Sequence, residues 1–223
     1  MPSYYPVFLD IRRMHCLVVG GGSVAERKVE LLLECGAAVT VVSPRCTDRL
    51  RHLASLGKLS LVERSYVTED LGSAGLVISA TDSSATNAEI ANQARGRGLL
   101  VNAVDDPELC SFLAPAVVRR GDLTVAISTG GRSPALARYA RERIEELFPP
   151  GYEQVIDQLS HLRQRLRSAV SKAEAREQVW RALMDDGLVE LLRAGRGDEV
   201  ERRVARVLTE TMGTTPACEW DNG

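Results

Sequence analysis

The sequence predicts an α/β protein: a doubly wound parallel sheet in the first half, followed by a small α+β region and a helical C-terminal domain. Three observations carry this. Short β-branched runs at Cys16–Val19, Ala38–Ser43 and Leu76–Thr81 alternate with segments whose apolar residues recur at helical spacing. The runs are apolar almost throughout rather than alternating with polar residues, which marks strands covered on both faces. The first run leads through Gly20-Gly21-Gly22 straight into a helical segment, and parallel neighbours reached by right-handed crossovers are the arrangement that fits.

Taken in order, the segment VAERKVELLLEC carries Val24, Val29, Leu31, Leu32 and Leu33 at helical spacing and stops at Gly36, a C-terminal cap. The strand Ala38–Ser43 then completes a βαβ unit within about thirty residues. A polar helix from about Thr47 to Leu56, a short strand at Leu59–Glu63 and the strand Leu76–Thr81 follow. Next come a helix over Ser84–Arg97 and a strand over Leu100–Val104. After Asp105-Asp106-Pro107 the stretch APAVVRRGDLTVAIST reads as two short strands joined at Arg120-Gly121-Asp122. A helix begins at Ser133-Pro134 and runs to Phe148. From Pro149-Pro150-Gly151 onward the chain is helical, with Arg alternating with Glu or Asp as on a solvated bundle. The tail after Met212 reads as frayed.

Composition narrows the function classes. Lys and Arg total 28 against 30 Asp and Glu in 223 residues, a formal net charge of -2, so no overall field favours nucleic acid or an anionic membrane. An anionic ligand must be met by a local cluster. Cys16, Cys35, Cys46, Cys110 and Cys218 form no C-x-x-C pair and lie mostly among apolar residues, which fits buried free thiols in a reducing compartment. The opening MPSYYPVFLDIRR has no basic region followed by a long apolar stretch, and no segment approaches the roughly 18 apolar residues of a membrane span. A cytoplasmic protein without nucleic-acid or membrane partners is expected. His15, His52 and His161 show no metal-ligand spacing, so no structural metal is expected.

Gly20, Gly22 and Ala25 occupy the three positions of a G-x-G-x-x-G/A fingerprint, directly after a strand and opening a helix. Gly20 makes the tight turn, Gly22 lets the backbone approach a pyrophosphate, and Ala25 lets the helix lie close to the sheet. Amides around Ser23 and Val24, with Gly21, would receive the anion. A Rossmann-type nicotinamide dinucleotide site is therefore expected. The second strand ends at Ser43-Pro44-Arg45, where an acid would ordinarily hold the adenosine ribose. Arg45 either contacts a 2′-phosphate or is a surface arginine, so this motif leaves NAD and NADP both open.

Several separated motifs then occur in one order: Y-P-V-F-L-D-I, V-V-G-G-G-S-V-A-E-R-K, A-T-D at Ala80–Asp82, N-A-V-D-D-P at Asn102–Pro107, S-F-L-A-P-A at Ser111–Ala116 and S-T-G-G-R-S-P-A-L-A-R at Ser128–Arg138. Over about residues 4 to 165 the chain resembles the precorrin-2 dehydrogenase and sirohydrochlorin ferrochelatase family, which includes the N-terminal module of sirohaem synthase and its stand-alone relatives. The resemblance implies oxidation of precorrin-2 to sirohydrochlorin with hydride passing to NAD, and in some members ferrous iron insertion as well. It also implies a homodimer, with the contact after the Rossmann domain. The expected domains are 1–112 for NAD binding, 113–148 for dimerisation and 149–223 for the helical remainder. No methyltransferase segment like that of the fused enzymes is present, so a stand-alone enzyme is expected.

Asp105 follows the C-terminal end of a strand, the edge at which open parallel sheets bind ligands. The family's essential aspartate matches this position, which implies an acid-base role; Asp106 reads as a turn initiator. Thr81 is expected to contact the cofactor and Asp82 to cap the next helix. Asn102 is either a polar contact in the cleft or a strand-end residue. Ser128, Thr129, Gly130, Gly131 and Arg132 stand immediately before a helix that starts with Pro134, an anion-binding arrangement suited to the many carboxylates of precorrin-2. The fused bacterial enzyme has a serine where this chain has Thr129, so a role that depends on serine is not carried over. The competing class is an NAD-sensing regulatory module without chemistry, which would need neither the acid nor the second anion site.

Overall fold

The computed structural model describes residues 4–185 and 187–212, so the expected frayed tail after Met212, and Cys218 within it, lie outside the described residues. Strands β1 (His15–Val19), β2 (Ala38–Val42), β3 (Ser60–Val62), β4 (Leu76–Ser79) and β5 (Leu100–Ala103) alternate with helices α1 (Ser23–Glu34), α2 (Asp48–Ser55) and α3 (Ser84–Gly96). They form one sheet in the order β3-β2-β1-β4-β5, and every pair is parallel. The fold is Rossmann-like.

The sheet is covered on both faces because its residues are apolar on both. Successive strand residues point to opposite faces. Cys16 and Val18 of β1, Val39 and Val41 of β2, and Leu76 and Ile78 of β4 pack with Ala25, Val29 and Leu32 of α1 and Leu50 and Leu53 of α2. The alternate residues Leu17, Val19, Val42, Val77, Val101 and Ala103 pack with Ile90, Ala91 and Ala94 of α3 and with Leu71. Leu71 ends a 3-10 turn over Thr68–Leu71 that the sequence reading passes over. Gly36 follows the C-cap of α1 at φ +77°, the left-handed conformation that glycine adopts without penalty. Thr47 caps α2 by accepting from Leu50 N–H.

Two compact units divide the chain: Met1–Pro115 with Ser128–Pro134, and Ala116–Ile127 with Ala135–Gly223. Residues 113–148, expected as one region, are shared between them. In the second unit, β6 (Ala116–Arg120) and β7 (Leu123–Ile127) form an antiparallel hairpin closed by two residues, with Gly121 at φ +56°. Among the described residues five helices follow: α4 (Pro134–Leu147), α5 (Tyr152–Ala169), α6 (Ala173–Asp185), α7 (Leu188–Arg193) and α8 (Gly197–Met212). Their core joins Leu162 and Leu166 of α5 with Val179, Leu183, Leu188, Val204 and Leu208. The arginine-rich stretch at 162–167 thus alternates buried leucines with surface arginines, of which Arg165 makes a bidentate pair with Glu201 at 2.8 and 2.9 Å. Helix α4 has no buried residue, and Leu136, Tyr139 and Leu147 are exposed on it. Among the described residues no helix is long and apolar enough to cross a membrane. Of the four described cysteines, Cys16 and Cys110 are buried while Cys35 and Cys46 are partly so.

Gly20 and Gly57 separate two ways in which glycine supports this fold. Both have positive φ, but a Cβ at Gly20 would sit 2.2 Å from a backbone oxygen, whereas Gly57 faces open space. Gly57→Ala should cost about 1 kcal/mol for the left-handed backbone alone. Gly20→Ala should cost at least about 3 kcal/mol, since backbone must also move. Urea denaturation of the two variants checks this; equal losses would mean that the contact at Gly20 relaxes freely.

Candidate active site

The ends of β1, β2, β4 and β5 converge on one edge of the sheet, and the turn after β1 is built by direct backbone contact. A Cβ at Gly20 (φ +120°) would lie 2.2 Å from the Ala80 carbonyl oxygen after β4, and the Gly20 N–H donates to Val42 O at 3.0 Å. At Gly21 a Cβ would lie 2.2 Å from the Arg45 carbonyl oxygen and 2.7 Å from Cys46 Sγ. Its carbonyl accepts from Thr47 N–H at 3.0 Å. These two glycines are therefore required by the protein's own packing. Gly22 is different. Nothing lies within 4 Å of its Cβ position, and as N-cap of α1 it offers no side-chain bond to the first turn. The helix opens toward free space beside the exposed residues Ser23 and Val24, with Ala25 fully buried beneath. Backbone amides at a helix start, with room where a side chain would stand, fit the pyrophosphate of a dinucleotide.

The other strand ends are held by their own side chains. Ser43 is buried, and its hydroxyl donates to the Arg45 carbonyl at 2.7 Å, so it shapes the loop that leaves Pro44 and Arg45 exposed. Thr81 is committed inward: its hydroxyl bonds Ser83 O and Asn87 Oδ1 at 3.1 and 2.8 Å, and its N–H donates to Asn87 Oδ1 at 3.1 Å. Asn87 Nδ2 returns a bond to the Thr81 carbonyl at 3.1 Å. The cap of α3 is Ser83, which accepts from Thr86 N–H, and not Asp82 as expected; Asp82 is exposed. Ser83 takes the role because it immediately precedes the first helical residue, where a side-chain oxygen reaches the orphan amides. Asn102, for which the sequence allows either a cleft contact or a strand-end role, donates its amide to Phe112 O at 3.1 Å and Cys110 Sγ at 3.4 Å. It ties the returning chain to β5.

Asp105 stands exposed just beyond β5 with φ +65°, and Arg13 is the one other non-glycine residue with positive φ among those described. Asp tolerates this conformation better than most side chains, and a four-residue turn holds it there, with Asp106 N–H donating to Ala103 O at 3.4 Å. The loop 128–133 belongs to the same unit and packs on this corner. A Cβ at Gly131 (φ +79°) would come within 3.2 Å of Pro107 Cγ. Within the loop Thr129 Oγ1 bonds both N–H and C=O of Ser133, Gly130 N–H donates to Ser128 Oγ, and Arg132 N–H donates to Thr129 O. The amides of Gly130, Arg132 and Ser133 are thus bonded within the loop. Gly131 and Arg132 are exposed at the tip of the loop. Among the described residues, no group of three or more His, Cys, Asp or Glu gathers as metal ligands do.

Three family models match in succession: putative NAD(P)-binding over residues 7–116, sirohaem biosynthesis protein central over 120–147, and sirohaem synthase dimerisation region over 151–208. The chain belongs to the sirohaem synthase and precorrin-2 dehydrogenase family. The family match reaches residue 208, past the point near 165 where the motifs thin out, and it attaches the word dimerisation to 151–208 rather than to 113–148. The siroheme synthase of Methylococcus capsulatus is 41% identical over 200 residues, covering 90% of this chain and 42% of that protein. That of Nitrosococcus oceani is 39% identical over 199 residues, covering 89% and 42%. The chain therefore spans about two fifths of these relatives. A solved structure, SirC, precorrin-2 dehydrogenase, is similar with a TM-score of 0.73 at 26% identity, covering 89% of this chain and all of that one.

Asn87 and Cys110 are parts of this edge that sequence reasoning missed. The one signal for Asn87 was a polar residue on the apolar face of α3, three residues before Ile90. Replacing it by Ala removes three bonds to Thr81 and leaves a donor without a partner, so Asn87→Ala should cost about 1–3 kcal/mol. Hydrogen exchange should show the Thr81 amide losing protection; unchanged protection would mean that another acceptor replaces Asn87.

Proposed function

We propose that this chain oxidises precorrin-2 to sirohydrochlorin in sirohaem biosynthesis, with NAD as the oxidant. The observation that carries the reading is that one sheet edge joins an open helix start at Gly22 with a carboxylate at Asp105 held in a left-handed turn. Full-length coverage of a precorrin-2 dehydrogenase structure supports it. An NAD-sensing module would need the first feature and not the second.

Gly20 and Gly21 hold the turn, and the amides at Ser23 and Val24 receive the pyrophosphate. Pro44 and Arg45 border the adenosine side, while Ser43, Thr81 and Asn102 fix the loops around it rather than offering free polar atoms. NAD supplies the hydride acceptor when bound. Precorrin-2 gives up a hydride and a proton, and Asp105 accepts the proton; its carboxylate is exposed and free to do so. Arg132, with the Gly131 amide, pairs with carboxylates of the substrate. The working protein is a cytoplasmic homodimer, a reading supported by the match to a dimerisation region and by the apolar residues exposed on α4.

The test is anaerobic turnover of precorrin-2 with NAD, which should raise NADH absorbance; ferrous iron added afterwards reads out chelation separately. No rise would leave the sensing module as the better reading. Asp105→Asn keeps size and most hydrogen bonding but cannot take the proton. It should lower turnover at least about 100-fold with NAD affinity unchanged, and near-normal turnover would remove Asp105 from the chemistry. Gly22→Asp should abolish NAD binding in a folded protein, because the new side chain takes the space left for the pyrophosphate. Sedimentation at micromolar concentration should give twice the chain mass of 24.3 kDa; a single-chain mass would count against the dimer.

A further inference from the structure

Between Asp105 and the segment that follows it lies a buried thiol that no part of the proposed chemistry uses. Cys110 is 7% exposed. Its sulfur lies 3.2 Å from the Ala103 carbonyl oxygen and 3.2 Å from the Asp106 carbonyl oxygen. It also accepts from the Ala103 N–H at 3.2 Å and from Asn102 Nδ2 at 3.4 Å. Ala103 and Asp106 are the first and last residues of the turn whose third residue is Asp105. The thiol thus bonds to both ends of that turn. Ser111 extends the tie, its hydroxyl accepting from Val101 N–H at 2.7 Å and its own N–H donating to Val101 O at 2.8 Å.

We infer that Cys110 is a positioning residue for Asp105: its thiol clamps the Ala103–Asp106 turn closed and so holds the Asp105 carboxylate at the sheet edge. The turn's own backbone bond, from Asp106 N–H to Ala103 O, is long at 3.4 Å, and an aspartate at φ +65° relaxes to an ordinary conformation unless its surroundings over-determine it. The clamp supplies that constraint. Sulfur suits the position because one S–H serves either carbonyl while the lone pairs accept from Ala103 and Asn102. Burial pushes the Cys110 thiol above its ordinary pKa, so it stays protonated and able to donate.

This inference rests on Asp105 acting in catalysis, and the experiment separates the two. In the full-length chain, Cys110→Ala and Cys110→Val remove the hydrogen-bonding atom; valine refills the buried space and suits the extended backbone there, at φ -81° and ψ 137°. Cys110→Ser keeps a donor and an acceptor. Hydrogen exchange reads the clamp without any reaction: the Ala103 amide should lose protection in Cys110→Ala and Cys110→Val and regain it in Cys110→Ser. Unchanged protection overturns the clamp whatever the enzyme does. Turnover reads the positioning: kcat for precorrin-2 should fall about 10–100-fold with NAD affinity unchanged, and Cys110→Ser should recover most of it. In the Asp105→Asn background the same substitutions should change kcat less than about twofold, because residues acting through one another are not additive. A full kcat in Cys110→Val, or an equal fall in both backgrounds, overturns positioning. A normal rate in Asp105→Asn alone instead removes the catalytic role on which the inference rests, and overturns it with that role.

Discussion

The loop edge of this sheet depends on a single close approach, that of the Gly20 backbone to the carbonyl of Ala80. With a Cβ at Gly20 2.2 Å from that oxygen, any other residue would force the end of β4 away from the end of β1. The Thr81–Asn87 network and the start of α3 would move with it, and the helix start at Gly22 would be re-aimed. Parallel strands make this a shared constraint, since all their C-terminal ends meet at one edge. Gly20 sits at the centre of the order β3-β2-β1-β4-β5.

The three glycines of the turn divide the work between folding and function. Gly20 and Gly21 lack side chains because protein atoms occupy the space, whereas the space at Gly22 is open. Only the third is left for a ligand to explain. The same division recurs at the second loop, where Gly131 backs onto Pro107 and Gly130 faces open space. A polar residue near a site is likewise to be judged by what its atoms already do. Ser43, Thr81 and Asn102 lie at strand ends, yet their donors are spent on Arg45, on Ser83 or Asn87, and on Phe112. Asp105 and Arg132 remain exposed.

Much of this was legible in the sequence. The strands are apolar on both faces and therefore continuous, and Gly36 and Thr47 mark helix ends by chemistry confined to a few neighbouring residues. The corner at Asp105 was located by its place after the Leu100–Val104 run. Its left-handed backbone and the Cys110 clamp were not legible, because the thiol's partners Ala103 and Asp106 lie seven and four residues away and meet it only once the chain has turned back along β5. Asp82 in place of Ser83 was a one-residue error of the kind that helix starts invite when several capping residues adjoin. Pairing between Arg165 and Glu201, 36 residues apart, has no local signature.

The most direct measurement follows the transferred hydrogen itself. Precorrin-2 deuterated at the ring carbon that is oxidised would be turned over anaerobically with NAD, and the reduced nicotinamide read by NMR. If the Gly22 helix start and the Asp105 corner hold dinucleotide and substrate against one another, deuterium appears at the nicotinamide C4 on one face only. Deuterium lost to solvent or spread over both faces would contradict a shared site at this sheet edge.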